Sequence, residues 1–330
     1  MAGGFSRSLD SVKSAIIVIG SSLIILACMR NSLTWHLQQF WGSSKNFWET
    51  IWFSCHWLCG KSNFVTFVFG SQFILTILVF WPLNALLMYT DLKGKKSIFY
   101  KFKVQQDKNV PVDKTRLKEA CLVVLRNQVL SIPLTALIYP LMVARANIFS
   151  SHLPTFQRVL LDLVVFVIVE EFAFYYSHRF LHRASIYKHI HKKHHEWTAP
   201  VGIVSLYAHP IEHVLSNFLP LVIGPLIMGS HIMTIWLWFS LAIFTTVNVH
   251  SGYHLPLMPS PEAHDFHHLK FTNNYGVLGF LDRLHNTDNM FRESKQFQRH
   301  VFLLSLVPLS TTIPDDPKPC QRACDQVEGL

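Results

Sequence analysis

Charge is scarce in this sequence. Asp, Glu, Lys and Arg make up 15% of its 330 residues, where a soluble domain carries about a quarter. Half of the residues belong to the hydrophobic set, 26 of them Phe. That balance excludes an ordinary soluble globule and points to an integral membrane protein. Other things are missing too. The six cysteines form no C-x2-C, and the two C-x3-C pairs, Cys55/Cys59 and Cys320/Cys324, stand so far apart that they make a weak zinc or disulfide signal. There is no N-x-[ST] sequon, hence no sign of a large luminal domain. No charged n-region with an A-x-A-like cleavage site opens the chain, so the first apolar run reads as a retained anchor. No G-x-S-x-G, G-x-x-x-x-G-K-[ST] or G-x-G-x-x-G occurs, which leaves serine hydrolysis and nucleotide chemistry without support. The formal net charge of +9 fits cytosolic loops of a membrane protein better than a nucleic-acid surface.

What is present is a series of long apolar runs. Ala15 to Met29 reaches spanning length with its flanks. Residues 31–62 are Trp-rich and suit the membrane interface. Phe64 to Thr90 is uncharged throughout and gives the clearest span. Nine Lys and Arg follow between Lys93 and Lys118, and by the positive-inside rule that loop is cytosolic. Cys121 to Val143 contains Arg126, Pro133 and Pro140 and is expected to be kinked or partly re-entrant. Phe156 to Val169 returns the chain to the cytosolic side. Ser205 to Ile227 and His231 to Val249 form a hairpin about Met228-Gly229-Ser230. The tail from Pro314 reads as disordered.

Histidine is the exception to the greasy monotony. Fourteen of the nineteen histidines lie between residues 178 and 268, and ten of them fall in four sets. His178 and His182 are four apart, one turn on one helical face. His191, His194 and His195 form H-x2-H-H. His250 and His254 are spaced H-x3-H, and His264, His267 and His268 repeat H-x2-H-H. Topology brings all four sets to one side of the membrane. Ten imidazoles are too many for one ion with four to six positions and suit two. His182 and His191 would face opposite ways on one straight helix, so a break is expected near Arg183-Ala184-Ser185, with Ser185 able to cap the next helix.

His36, His56, His152, His231 and His300 stand alone and read as packed, hydrogen-bonded side chains. His209-Pro210-Ile211-Glu212-His213 matches the H-x-x-E-H of inverted zinc proteases, but one short match explains none of the four sets. Glu171 lies seven residues before His178 and is expected to orient a ligand imidazole. Asp265 and Glu196, inside the histidine boxes, are further supporting carboxylates. Two metals at a membrane face allow two chemistries: zinc would hydrolyse with a bound water, and iron would use dioxygen on a C–H bond. A substrate from the bilayer offers few hydrolysable groups, which favours oxidation. With no flavin, nicotinamide or haem signature in the chain, electrons must come from a separate carrier.

The segments SHRFLHRASIYKHIHKKHHEWTAP, AHPIEH, NVHSGYHLP, HDFHHLKFTNNYG and LDRLHNTD closely resemble the fatty acid hydroxylase/sterol desaturase superfamily, and within it the C4-methylsterol oxidase branch. The resemblance covers roughly Leu160 to Asp288. It implies a membrane-bound di-iron oxygenase of the endoplasmic reticulum that uses O2, with electrons from NAD(P)H through cytochrome b5 and its reductase. For the sterol branch it implies stepwise oxidation of a 4-methyl group. His178, His182, His191, His194, His195, His264, His267 and His268 match the family boxes, and His250 and His254 match the additional H-x3-H. The expectation is therefore an all-α polytopic membrane bundle with a cytosolic, histidine-rich di-metal cap. N-terminal membrane helices and the basic loop would occupy 1–155, the di-iron region 156–290 and a tail 291–330. Hydroxylation or desaturation of an acyl chain or sphingoid base is the alternative activity, and a catalytically silent membrane scaffold the alternative of another class.

Overall fold

The computed structural model describes residues 35–315. The expected first span at Ala15 to Met29 and nearly all of the tail lie outside them. Helix dominates, and among the described residues no strand forms beyond one isolated bridge between Lys103 and Tyr253. A first helix, α1, covers residues 35–58. Its Trp35 and Trp57 are exposed, as an interfacial belt would have them, but Trp52 is buried against Trp236 and His56.

Among the described residues, four helices are long and apolar enough to cross a membrane: α2 (Asn63–Lys96), α3 (Lys114–Arg145), α5 (Pro210–Met228) and α6 (Ile232–His250). Between them α4 (Phe156–Leu181) has comparable length but carries Asp162, Glu170 and Glu171. Each start has a local cause. Ser62, Asp113, Thr155 and His231 accept from backbone N–H groups in the first turns of α2, α3, α4 and α6, satisfying donors that have no partner inside the helix. Pro210 opens α5 at a position where its missing N–H costs nothing. Gly229 ends it in the left-handed region, with the Ala146 side chain where a Cβ would stand. Contrary to the re-entrant expectation, α3 runs as one helix through both Pro133 and Pro140.

Packing is tightest between α4 and α5. At Gly224 a Cβ would come within 2.9 Å of Phe166, so the missing side chain lets the two backbones approach. The outer faces stay greasy: Leu122, Val129 and Leu137 of α3 and Leu161, Val164 and Ile168 of α4 are exposed, as lipid-facing positions should be. One core cluster lies at the far end around Trp52, Met142, Ile148, Ile232 and Trp236. A second lies beneath the histidines, around Phe80, Trp197, Ile203, Tyr207, Val247 and Tyr253, and a small third joins Tyr175, Tyr275 and Leu281.

Helix direction puts the histidine-bearing ends together. The C-terminal ends of α4 and α6 and the segment leading into α5 meet at one end of the bundle, where α7 (Glu262–Lys270) closes over them. The basic loop after α2 is strapped to this end by a buried ion pair between Lys103 Nζ and Asp91 Oδ1 (3.2 Å), with Tyr253 donating to the same carboxylate.

Candidate metal centre

The chain breaks where geometry demanded. α4 ends at Leu181, and a short helix, Ala184–Tyr187, starts afresh from Arg183 in extended conformation. Ser185 sits inside this new turn, and Arg183 holds the cap position without a side-chain hydrogen bond. A 3₁₀ segment, His191–Glu196, then presents its three histidines inward, all buried. Nine of the ten expected imidazoles converge in two groups. His178, His182, His191, His195 and His267 form one, and His194, His250, His264 and His268 the other. Within each group the facing ring atoms lie within 4.8 Å of one another. Metal–nitrogen bonds of about 2.1 Å place neighbouring ligand atoms about 3 Å apart and opposite ones about 4.2 Å, so both groups have the dimensions of a coordination shell.

Tautomers make the case stronger than distance alone. The Nδ1 atoms of His178, His194, His250, His267 and His268 face the backbone carbonyls of Tyr275, Tyr207, Thr246, Asn273 and Trp197, at 2.6–3.1 Å. A carbonyl only accepts, so each Nδ1 carries the proton and each Nε2 is left with a bare lone pair. Those lone pairs point inward. The Nε2 atoms of His267 and His268 have no protein partner, and neither does that of His182. Burial pushes the protonation of His191, His195, His264, His267 and His268 well below the usual imidazole range, reinforced by mutual repulsion among the rings. Such rings are neutral, which is the state that binds a metal.

His254 lies apart. Its Nε2 faces the Val301 carbonyl at 3.0 Å and its Nδ1 faces Glu262 Oε1 at 3.4 Å. Arg299 approaches the same carboxylate. The three carboxylates expected to support ligands also look elsewhere. Glu171 Oε2 accepts from the backbone of Val277 and Leu278, and Oε1 from Leu281. Asp265 accepts from Gln105 and Gln296, and burial raises its carboxyl to about 7. Glu196 accepts from Tyr207 and Lys193 at the periphery.

One carboxylate does reach a ligand ring. Glu212 is buried and places Oε1 2.9 Å from His191 Nδ1. The protease-like match that contains it does not assemble, because His209 caps its own helix and His213 faces Ser131. The signal for Glu212 was available: a lone acid entering an apolar run needs a partner.

A profile of the family described as fatty acid hydroxylase matches residues 163–287. The human fatty acid hydroxylase domain-containing protein 2 is 48% identical over 93% of this chain and 92% of its own length. The chain belongs to the fatty acid hydroxylase family. Methylsterol monooxygenase 2-2 of Arabidopsis thaliana is 32% identical over 72% of this chain and 92% of its own. Very-long-chain aldehyde decarbonylase GL1-11 of Oryza sativa subsp. japonica is 33% identical over 61% of this chain and 79% of its own. No solved structure matches. The matched stretch contains every imidazole of the two groups, together with Glu212 and the carbonyls that orient the rings.

Proposed function

We propose that this protein is an O2-dependent di-iron oxygenase that oxidises an unactivated C–H bond of a membrane lipid, with the 4-methyl group of a sterol intermediate as the preferred target. The observation that carries the reading is the pair of buried imidazole groups with bare Nε2 atoms, side by side and open to one shared cavity. All donors are neutral nitrogens, a set that suits iron or zinc; family membership and a membrane-borne substrate favour iron. Two iron ions would supply dioxygen binding and reduction. In the overall reaction one oxygen atom enters the C–H bond and the other leaves as water, with two electrons and two protons taken up.

The residues divide the work. His178, His182, His191, His195 and His267 hold one ion, and His194, His250, His264 and His268 the other. His254, Glu171 and Asp265 act through the protein around the centre. The reading includes electrons from NAD(P)H through cytochrome b5 and its reductase, and residence in the endoplasmic reticulum membrane with the centre facing the cytosol, as the basic loop before α3 suggests. The methylsterol monooxygenase among the relatives supports a sterol. The very-long-chain aldehyde decarbonylases support an acyl chain as the second reading.

Sterol and fatty-acid mass spectrometry of cells lacking the protein tests this. Knockouts are complemented with wild type or with His194→Ala/His267→Ala. Accumulated 4-methylsterols, cleared by wild type alone, are expected. A changed profile of hydroxylated or unsaturated acyl chains would move the substrate to the second reading. Rescue by the double variant would overturn the enzyme claim.

A further inference from the structure

The cavity shared by the two imidazole groups has an unusual lining for a space bounded by membrane helices. Apart from its histidines, its only apolar side chain is Phe174; the others are Ser205, Glu212, Ser216, Asn217 and Thr246. Two of these are already engaged. Ser205 donates to the Gly202 carbonyl at 2.8 Å, and Ser216 donates to Ser177 Oγ at 3.1 Å. Three are not fully engaged. Among the described residues Glu212 Oε2 is buried without a partner, and neither the Asn217 amide nor the Thr246 hydroxyl finds a hydrogen-bond partner there. Their positions are tied to the centre. Asn217 follows Glu212 in the π-helical stretch His213–Phe218. Thr246 lies one turn before His250, whose Nδ1 its carbonyl accepts.

Asn217 and Thr246 are half-buried, with their polar groups open to this cavity, and an amide or hydroxyl covered by hydrocarbon without a partner is costly. A plain hydrocarbon segment in this cavity would leave them unpaired, and a ligand oxygen would satisfy them. We propose that Asn217 and Thr246 are a recognition pair for an oxygen atom on the lipid, a hydroxyl or carbonyl carried on or next to the carbon that is oxidised. The inference rests on the oxygenase reading of the site and narrows it: the substrate is an oxygenated lipid, presented with its oxygen toward α5 and α6. An amide offers both donors and an acceptor, and a hydroxyl one donor and two lone pairs, so together they can saturate a bound hydroxyl. Sites built this way reject analogues lacking the oxygen far more strongly than an apolar pocket rejects a change of one methylene.

Equilibrium binding to the iron-loaded full chain in nanodiscs, followed by tryptophan quenching, tests the proposal with two probe pairs. One pair is a 4,4-dimethylsterol with a 3β-hydroxyl and its 3-deoxy counterpart; the other is octadecan-1-ol and octadecane. Wild type is expected to prefer the oxygenated member of at least one pair by about tenfold or more. Asn217→Leu/Thr246→Val should reduce that preference below threefold by weakening the oxygenated member alone, with metal content unchanged. Thr246→Val by itself, a smaller change, should remove part of it. Absence of preference in both pairs overturns the inference, as does full preference in the metal-loaded double variant. Preference confined to the alcohol pair would remove the sterol from the proposed function and leave the recognition pair standing.

Discussion

The Nε2 atoms of His194 and His250 face each other across 3.4 Å, and each ring has its Nδ1 against a backbone carbonyl. Neither Nε2 has a proton to offer the other. Two bare lone pairs at this distance repel, and a cation between them reverses the sign of the interaction. The Nε2 atoms of His178 and His191 likewise stand 3.1 Å apart, with the Nδ1 of His178 against the Tyr275 carbonyl. The protein has spent backbone carbonyls on fixing tautomers, and a cluster of solvated basic residues would have no need of that.

Metal stoichiometry separates the ten histidines. His194→Ala removes one of four donors from its group, and element analysis of the purified protein should show bound metal falling from two ions toward one. His254→Ala should retain both ions while lowering stability by about 1–3 kcal/mol, because Glu262 and the Val301 carbonyl lose a buried partner. Loss of metal in His254→Ala would place that ring in the centre and contradict the assignment.

Glu212 is expected to tune affinity, leaving the ligand count unchanged. Its Oε1 lies 2.9 Å from His191 Nδ1, a position from which a carboxylate orients a metal-binding ring and raises its basicity. Glu212→Gln should keep both metals at saturation yet weaken the retention of one by about 10–100-fold in a chelator titration. Equal retention in variant and wild type would reduce the contact to packing. The outcome also bears on the motif match, since a zinc-protease role would tie Glu212 to His209 and His213 and leave His191 unaffected.

Acid should weaken the metal-stripped protein, because its buried histidines stay neutral where those of the unfolded chain take up protons. Burial depresses His194 to about 4, partly offset by its Tyr207 carbonyl. Above pH 6.5 the ring is neutral in folded and unfolded chains alike. Between 6.5 and 4 the unfolded chain takes up a proton that the folded ring refuses, so stability falls as pH falls. Below 4 both states are protonated and the loss levels off. For this ring the full effect is about 3 kcal/mol. A melting temperature of the stripped protein that stays flat from pH 7.5 to 4.5 would refute it.

Much of this centre was legible as spacing, and the exceptions have physical causes. H-x2-H-H and H-x3-H work as ligand signatures only while one helix carries them. His178 and His182 obey, since α4 reaches Leu181 with His182 as its cap. His254 does not. α6 stops at His250, Gly252 adopts φ +72° against the Pro200 carbonyl, and the chain has turned away before His254. Asp265 is next to His264 in sequence but about 100° around α7 from it, so its carboxylate meets Gln105 instead. Of the carbonyls that fix the tautomers, that of Thr246 lies one turn before His250 in α6, but those of Tyr275 and Trp197 come from loops 97 and 71 residues from His178 and His268, and side-chain patterns carry no record of them.

Glu171 shows how a correct suspicion about importance can attach to the wrong job. Seven residues before His178 it shares that ring's helical face, but about 10 Å along the axis, beyond the reach of a direct contact. Its carboxylate instead gathers the amides of Val277, Leu278 and Leu281, and so holds the loop whose Tyr275 carbonyl orients His178. Gly276 is packed into this clamp, where a Cβ would lie 2.9 Å from Asp282 Oδ2 and 3.0 Å from Glu171 Oε1. Glu171→Ala strands three amides and should cost about 2–4 kcal/mol, read as a lower melting temperature. In the fraction that remains folded, metal should stay bound, with the group containing His178 exchanging faster than the other. Glu171→Gln, which keeps one acceptor oxygen, should recover part of both. If Glu171→Gln instead lost turnover with stability and metal exchange unchanged, the carboxylate would have a part in the chemistry itself, and its role as a loop clamp would be incomplete.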